Sequence, residues 1–347
     1  MENTFKNSPK MSIARAAELL GISVHGVHKR LRSKGLVCPR IGNKSYITND
    51  IARQLFNIPF KNLKVVGQIV KGGTGKTTSI HNIACCATTY GARVLAIDLD
   101  PQGNLTDANN IDPEEMPVLI DFINGDSTVE EGIIRVSEGY DLIPSRIENV
   151  VLDNTVINKR LPLDTLFSNL LASIEQNYDF IFIDCPPTIT QTVTAANLYA
   201  DIILVPLNPD KFSAKGLKIL KQELTLLRKH YKKSIEYKVF LNKFSGNTIL
   251  SDKAISSIFA DPDMEGRALQ TAVRYTQEIP NTIDSSKNLF SNLKKSTARD
   301  DFDLLTIELL GIELRHHFLL LSSLDRYQSK SQVLQEIHYR HEVWLHY

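Results

Sequence analysis

Short, unbroken apolar runs recur along the chain, each followed by a longer stretch with helical spacing. Six runs have the length of strands: residues 64–70, 93–98, 140–143, 179–184, 201–206 and 236–242. Runs such as Val94-Leu95-Ala96-Ile97 and Phe180-Ile181-Phe182-Ile183 show no polar alternation, as expected of strands buried on both faces. From Ser213 the pattern changes. Leu217, Leu220, Leu224 and Leu227 repeat every three or four residues, which predicts a helix with one buried stripe and lysines on its other face. Strands alternating with such helices predict an α/β fold, a mostly parallel sheet covered on both sides.

Residues 1–62 follow a different rhythm. From Ser12, the apolar set Ile13, Ala16, Ala17, Leu19 and Leu20 predicts a short helix. Gly21-Ile22-Ser23 supplies a turn, with Ser23 placed to cap a second helix from Val24 to about Ser33. Small Ala17, turn Gly21 and apolar Val27 have the spacing of a helix-turn-helix, in which two helices cross closely. The second helix presents His25, His28, Lys29, Arg30 and Arg32, side chains suited to phosphates and base edges. Arg40 to Ile47 then predicts a hairpin turning at Gly42-Asn43, and Thr48 a cap for a helix over 49–56. These features resemble the winged helix-turn-helix of MerR-like regulators, with Arg40 and Lys44 on the wing. A helical interaction domain with a solvated basic face is the plainer alternative.

Charge sharpens this division. The chain of 347 residues carries a formal net charge of +1, yet residues 1–64 hold 12 Lys/Arg against 3 Asp/Glu, leaving 28 against 36 for the rest. A basic segment on an acidic body points to a polyanion partner. The 42% hydrophobic and 23% charged content is that of a globular protein with about two domains. Cys38, Cys85, Cys86 and Cys185 show no metal or disulfide spacing. With no signal-peptide core and no membrane-spanning run, the expected location is cytoplasmic.

The candidate chemistry lies at Val70 to Thr78, VKGGTGKTT, between an apolar run and a helix beginning at Lys76. Strand, glycine-rich turn and helix N-terminus in that order make an anion site: backbone N–H groups converge and the helix dipole favours negative charge. Gly72, Gly73 and Gly75 allow the close approach, with Thr74 and Thr78 completing the loop. Lys76 can reach the outer phosphates and Thr77 can ligate magnesium. The strict phosphate-loop pattern requires glycine at 70; this chain has Val70 and a second lysine, Lys71. Two further runs end in acids. Asp98 and Asp100 follow one strand, where one could support a metal shell and the other orient a water, although such acids also suit helix capping. Asp184-Cys185-Pro186-Pro187 follows another, the arrangement that holds magnesium directly or through water.

Together, KGGTGKTT, DLDPQGN, DCPP, Leu142-Ile143-Pro144-Ser145, the run from Ala200 to Leu217 and Leu241-Asn242-Lys243 resemble the deviant Walker ATPases, within them the ParA-type partition ATPases. The resemblance covers residues 63–310. It implies an ATP- and magnesium-dependent homodimer in which Lys71 crosses to the partner's phosphates, Lys76 grips the β- and γ-phosphates, Thr77 binds magnesium and Asp100 positions the hydrolytic water. Asp98 and Asp184 would support the metal, and Pro209, Asp210 and Asn242 would contact the adenine end. It also implies a nucleoid-associated protein that binds DNA without sequence preference, with Lys294, Lys295 and Arg299 where family members make that contact, and a ParB-like centromere-binding partner. The N-terminal domain adds a possible operator-specific, autorepressing activity. Rival readings are a MinD-like membrane-associated positioning ATPase and a nucleotide-sensing transcription regulator. From Gly311 the resemblance lapses; the tail holds five of the nine histidines and a possible apolar face of Val333, Leu334, Ile337 and Trp344, and implies no function.

Overall fold

The structure, a computed structural model, describes residues 7–245 and 261–312; the tail from 313, with its histidines, lies outside them. The chain divides into two compact units. One takes in residues up to Ser12 and Cys38–Ile312, and the other contains Ile13–Val37.

The smaller unit is a pair of helices, α1 (Ile13–Leu20) and α2 (Val24–Ser33). Ile13, Ala16, Ala17 and Leu19 of α1 and Val27 and Leu31 of α2 are buried, which is the apolar set expected. The turn closes with Ile22 N–H donating to Ala17 O at 3.1 Å. Ser23 caps α2, its hydroxyl accepting from Gly26 N–H at 3.1 Å.

The larger unit begins with a small three-stranded sheet: β1 (Met11–Ser12) and β2 (Arg40–Ile41) flank β3 (Lys44–Ile47), both antiparallel to it. Helix α3 (Asn49–Phe56) follows. Then come β4 (Leu63–Gly67), α4 (Lys76–Thr89), β5 (Val94–Asp98), α5 (Asn104–Ala108), α6 (Leu119–Asn124), β6 (Ile134–Ser137) and β7 (Tyr140–Ile143). Helices α7 (Leu152–Asn158) and α8 (Leu166–Leu171) lead to β8 (Phe180–Asp184), α9 (Gln191–Tyr199), β9 (Ile202–Leu207), α10 (Lys211–Tyr231) and β10 (Glu236–Leu241). The described part closes with α11 (Glu278–Asp284) and α12 (Thr297–Leu310).

The main sheet has seven strands in the order β10-β9-β4-β8-β5-β7-β6. Every neighbouring pair is parallel except β6–β7. The central strands β5 and β8 are buried at every position, which explains their uninterrupted apolar sequences. Edge strand β6 was not among the expected strands: half-exposed and alternating, Ile-Arg-Val-Ser lacks the apolar run that marked the others. The alternating order reverses around β4, whose carboxyl end feeds the Val70–Thr78 loop; this is where open α/β sheets form a crevice for ligands. Helix α4 runs through the interior, with all but two of its residues buried.

The sequence division at residue 62 does not match this partition, because the hairpin and α3 belong to the sheet-bearing unit. Buried Asn49 donates to Thr88 O and Ala92 O, both at 2.8 Å, closing the carboxyl end of α4. Arg53 donates to Gly91 O at 2.8 Å and pairs with Asp179 at 2.6 Å. Phe60 packs edge-on against Phe180 with centroids 5.4 Å apart, so residues 57–62 are not a free linker. Gly91 fits the approach: its φ is +91° and a Cβ there would lie 2.3 Å from Arg53 N. The expected cap Thr48 makes no side-chain cap bond. Glu138, from the turn between β6 and β7, accepts from both Thr48 Oγ1 and Asp50 N–H instead.

Candidate functional site

The Val70–Thr78 loop joins the end of β4 to the first turn of α4, so the helix N-terminus opens directly beneath it. Gly73 and Gly75 adopt left-handed φ of +73° and +91°, which other residues disfavour. Gly75 has a second reason to lack a side chain: a Cβ would sit 2.3 Å from Asn242 Nδ2. The Asn242 amide lies there because it donates to Thr74 O at 2.7 Å. Lys243 Nζ and Asn208 Nδ2 both donate to Gly73 O, at 2.9 and 3.4 Å. Side chains from the ends of β9 and β10 thus hold the loop's carbonyls from behind, which leaves its N–H groups for an anion. Asn242, expected at the adenine end, clamps the loop through its bond to Thr74 O.

Two acids face the loop. Thr77 Oγ1 donates to Asp184 Oδ2 at 2.6 Å, bringing the expected magnesium pair together. Asp184 is fully buried and its Oδ1 has no hydrogen-bond donor among the described residues. Burial pushes its carboxyl above the usual range, with the nearby Asp98 adding to the shift. A hydroxyl beside an enclosed carboxylate with one oxygen uncommitted is a fitting cradle for a hard dication that keeps several waters. Lys76 is also buried, and that burial lowers its pKa while Asp184 and Asp100 pull the other way. An anionic ligand would relieve that desolvation.

Asp98, expected to support the metal, is bonded into the turn that carries Asp100. Its Oδ2 accepts from Thr106 N–H and Oγ1 at 2.9 and 2.8 Å, and its Oδ1 from Asp100 N–H at 3.2 Å. Both oxygens thus tie into the turn between β5 and α5, and the residue positions Asp100. Asp100 is half-buried, with Oδ1 accepting from Gln102 N–H at 3.0 Å. The turn is wired further: Ser145 N–H donates to Thr106 Oγ1 at 2.9 Å, and Asn149 Nδ2 to Ser145 Oγ at 2.8 Å. Leu142-Ile143-Pro144-Ser145, notable in sequence only as a motif, is what backs the Asp100 turn.

Lys71 is held within its own chain. Its Nζ donates to both carboxylate oxygens of Asp210, at 2.8 and 2.7 Å, and to Ser213 Oγ at 3.2 Å. Asp210, expected with Pro209 at the adenine end, is thus the partner of the extra lysine. Ser213, which sequence reasoning passed over, braces the pair by donating its backbone N–H to Asp210 Oδ1 at 2.8 Å.

The expected DNA contacts fall into separate places. In the helix pair, Lys29, Arg30 and Arg32 are exposed and His28 is half-buried. In the larger unit, Arg40, Lys44, Lys294 and Lys295 are exposed. Arg299 is a correction. Its guanidinium donates to Leu289 O, Asn292 O and Lys10 O, and lies 4.8 Å over the Phe290 ring. Those bonds fasten α12 to neighbouring segments and leave little of the group for a phosphate. Lys221, on the basic face of α10, is likewise engaged, pairing with Asp263 at 2.6 Å.

A parallel sheet with a glycine loop, Lys76, Thr77 and a strand-end acid defines a P-loop nucleotide-binding protein. The family described as AAA domain matches residues 64–237. A "ParA family protein" of Chlamydia trachomatis is 31% identical over 246 residues, covering 69% of this chain and 94% of the relative. The chain belongs to the ParA family of P-loop ATPases. Among solved structures, a Borrelia burgdorferi protein described as a plasmid partition protein, bound to AMPPNP, is similar at TM-score 0.61 and 21% identity, over 72% of this chain and 99% of that one. Cobyrinic acid a,c-diamide synthase of Mycobacterium smegmatis, with an ATP analogue and magnesium bound, is similar at TM-score 0.63 and 22% identity, over 72% and 94%. Two such different proteins on one fold show that function must be argued from the site. No described helix is long and apolar enough to cross a membrane.

Proposed function

We propose that the protein hydrolyses ATP to ADP and phosphate with magnesium, and that ATP binding pairs two copies of the chain on DNA. The observation that carries the reading is the Thr77–Asp184 contact at the mouth of the glycine loop, with Asp184 Oδ1 left for a metal shell. Thr77 and Asp184 would hold magnesium, which on binding offsets charge on the outer phosphates. The loop N–H groups and the α4 N-terminus bind the phosphates, and buried Lys76 neutralises the β/γ end. Asp100, fixed by Asp98 and Thr106, orients the attacking water toward the γ-phosphorus; the bond to the β–γ bridging oxygen breaks as the new P–O bond forms. In the paired state Lys71 exchanges Asp210 for the partner's phosphates.

Lys29, Arg30 and Arg32 on α2 are exposed and suited to the phosphates of DNA, and so, in the larger unit, are Arg40 and Lys44 on the β2–β3 hairpin. We read α1 and α2 as a helix-turn-helix that can read an operator, and Lys294 and Lys295 as phosphate contacts without sequence preference. A ParB-like partner would stimulate hydrolysis and couple it to the segregation of a plasmid or chromosome. The test measures ATP turnover and DNA retention together for the wild type and Asp100→Ala. The variant should keep ATP and DNA binding and lose turnover; normal turnover would remove Asp100 from the mechanism.

A further inference from the structure

Gln68 stands just past β4, between that strand and the glycine loop, and its side chain is completely buried. Its backbone N–H donates to Leu204 O of β9 at 3.1 Å. Its side-chain Nε2 donates to Thr188 O at 3.0 Å, across to the turn that follows Asp184. The amide oxygen Oε1 is enclosed and meets no donor among the described residues. Burying an amide with half its capacity unused is worse for stability than an apolar side chain of the same shape. Packing alone would favour methionine or leucine here, so the position is explained by what the amide grips.

The gripped turn has few means of tying itself down. Pro186 and Pro187 carry no N–H to donate to the sheet. Thr188 and Ile189 are exposed, and the next anchor is Thr190, whose hydroxyl caps α9 by accepting from Val193 N–H at 3.3 Å. On the other side, Gly67 and Asp184 are register partners in adjacent parallel strands, and Cys185 N–H donates to Gly67 O at 3.3 Å. The backbone therefore ties β4 to β8 as far as Cys185, and the Gln68 side chain extends that tie three residues further, to Thr188.

We propose that Gln68 is a positioning residue for hydrolysis, locking the Thr188 turn to the end of the strand that feeds the phosphate loop so that both loops close on nucleotide together. The proposal rests on the ATPase reading above. It makes Gln68 dispensable for holding ATP and important for turning it over, because loosening the turn that follows Asp184 disturbs alignment, which acts on rate more than on binding.

The experiment compares full-length wild type with Gln68→Met, which keeps the length and removes both hydrogen-bonding functions, and Gln68→Asn, which keeps both on a shorter stem. ATP affinity, steady-state turnover, melting temperature and amide exchange at residues 188–190 are read with magnesium present. Gln68→Met should bind ATP within about twofold of wild type and melt no lower, while kcat falls about tenfold and the 188–190 amides exchange faster; Gln68→Asn should fall between. Unchanged turnover in Gln68→Met overturns the proposal, as does a loss of turnover matched by an equal loss of ATP affinity or a lower melting temperature. If the wild type itself lacks turnover, the ATPase reading fails instead, and the exchange arm still decides: unaltered exchange at 188–190 in Gln68→Met refutes the lock.

Discussion

The glycine loop and the α1–α2 helix pair carry their charges in opposite ways. Around the loop, Lys71, Lys76, Thr77, Asp98 and Asp184 are buried or half-buried, and most of them are committed to named partners a few ångströms away. On α2, Lys29, Arg30 and Arg32 stand in solvent on a two-helix scaffold whose core is a handful of apolar side chains. The loop is a site of fixed geometry in which one atom's loss strands another. The helix carries a density of charge in which each group adds a similar increment and salt competes with all of them.

The two kinds of site should fail differently. The largest effect is expected for Lys76→Ala, which removes a buried charge aimed at the phosphates and should weaken ATP binding about a hundredfold by calorimetry. Unchanged affinity would refute the loop assignment. Next comes acid sensitivity of the α4 core. His81 is buried with neither ring nitrogen hydrogen-bonded among the described residues, and burial holds its pKa down to about 4, with the Lys287 backbone pulling the other way. The native ring stays neutral while the unfolded chain takes up a proton below about pH 6.5. Stability is therefore fully present above that value and is lost as pH falls toward 4, by about 2 kcal/mol between pH 7 and 5. His81→Leu should flatten this limb in urea titrations, and a limb unaltered by the substitution would place the acid sensitivity elsewhere.

A smaller and more graded change is expected at α2. Replacing Lys29, Arg30 and Arg32 together by alanine should reduce DNA affinity about tenfold near physiological salt and flatten the log–log salt dependence by roughly 2 to 3, with ATP affinity untouched. An unchanged salt slope would remove α2 from the DNA interface. The smallest effect is expected for Asp210→Asn, which frees Lys71 from a partly exposed ion pair and should raise ATP-dependent dimerisation two- to fivefold, on the order of 1 kcal/mol or less. Sedimentation showing no gain would mean that the pair does not oppose dimerisation.

The same contrast explains what could be read from sequence. The strands of the main sheet were legible because burial on both faces forces unbroken apolar runs, and the loop because its glycines and Lys76 answer to local backbone chemistry. Edge strand β6 escaped because a half-exposed strand carries no such run. Partnerships between side chains far apart in the chain escaped for another reason. Nothing near Lys71 announces Asp210, nothing near Arg299 announces Lys10 O, and nothing near Thr48 announces Glu138. Asp98 shows the limit most clearly. Its strand-end position suggested a metal-supporting acid, and only the turn's three-dimensional path shows that it also braces Asp100 and Thr106.

The pairing of Ser12 with Tyr46 and of Met11 with Ile47 has a consequence for how this chain came to be built. Residues on both sides of the helix pair belong to the sheet-bearing unit, so α1 and α2 are an excursion inserted between Ser12 and Cys38 and not a module added at one end. Exchange of this helix pair for another in evolution would need two joints, at 12/13 and 37/38. A single cut near residue 62 would carry away Asn49 and Arg53, and with them the clasp on the far end of the phosphate-loop helix.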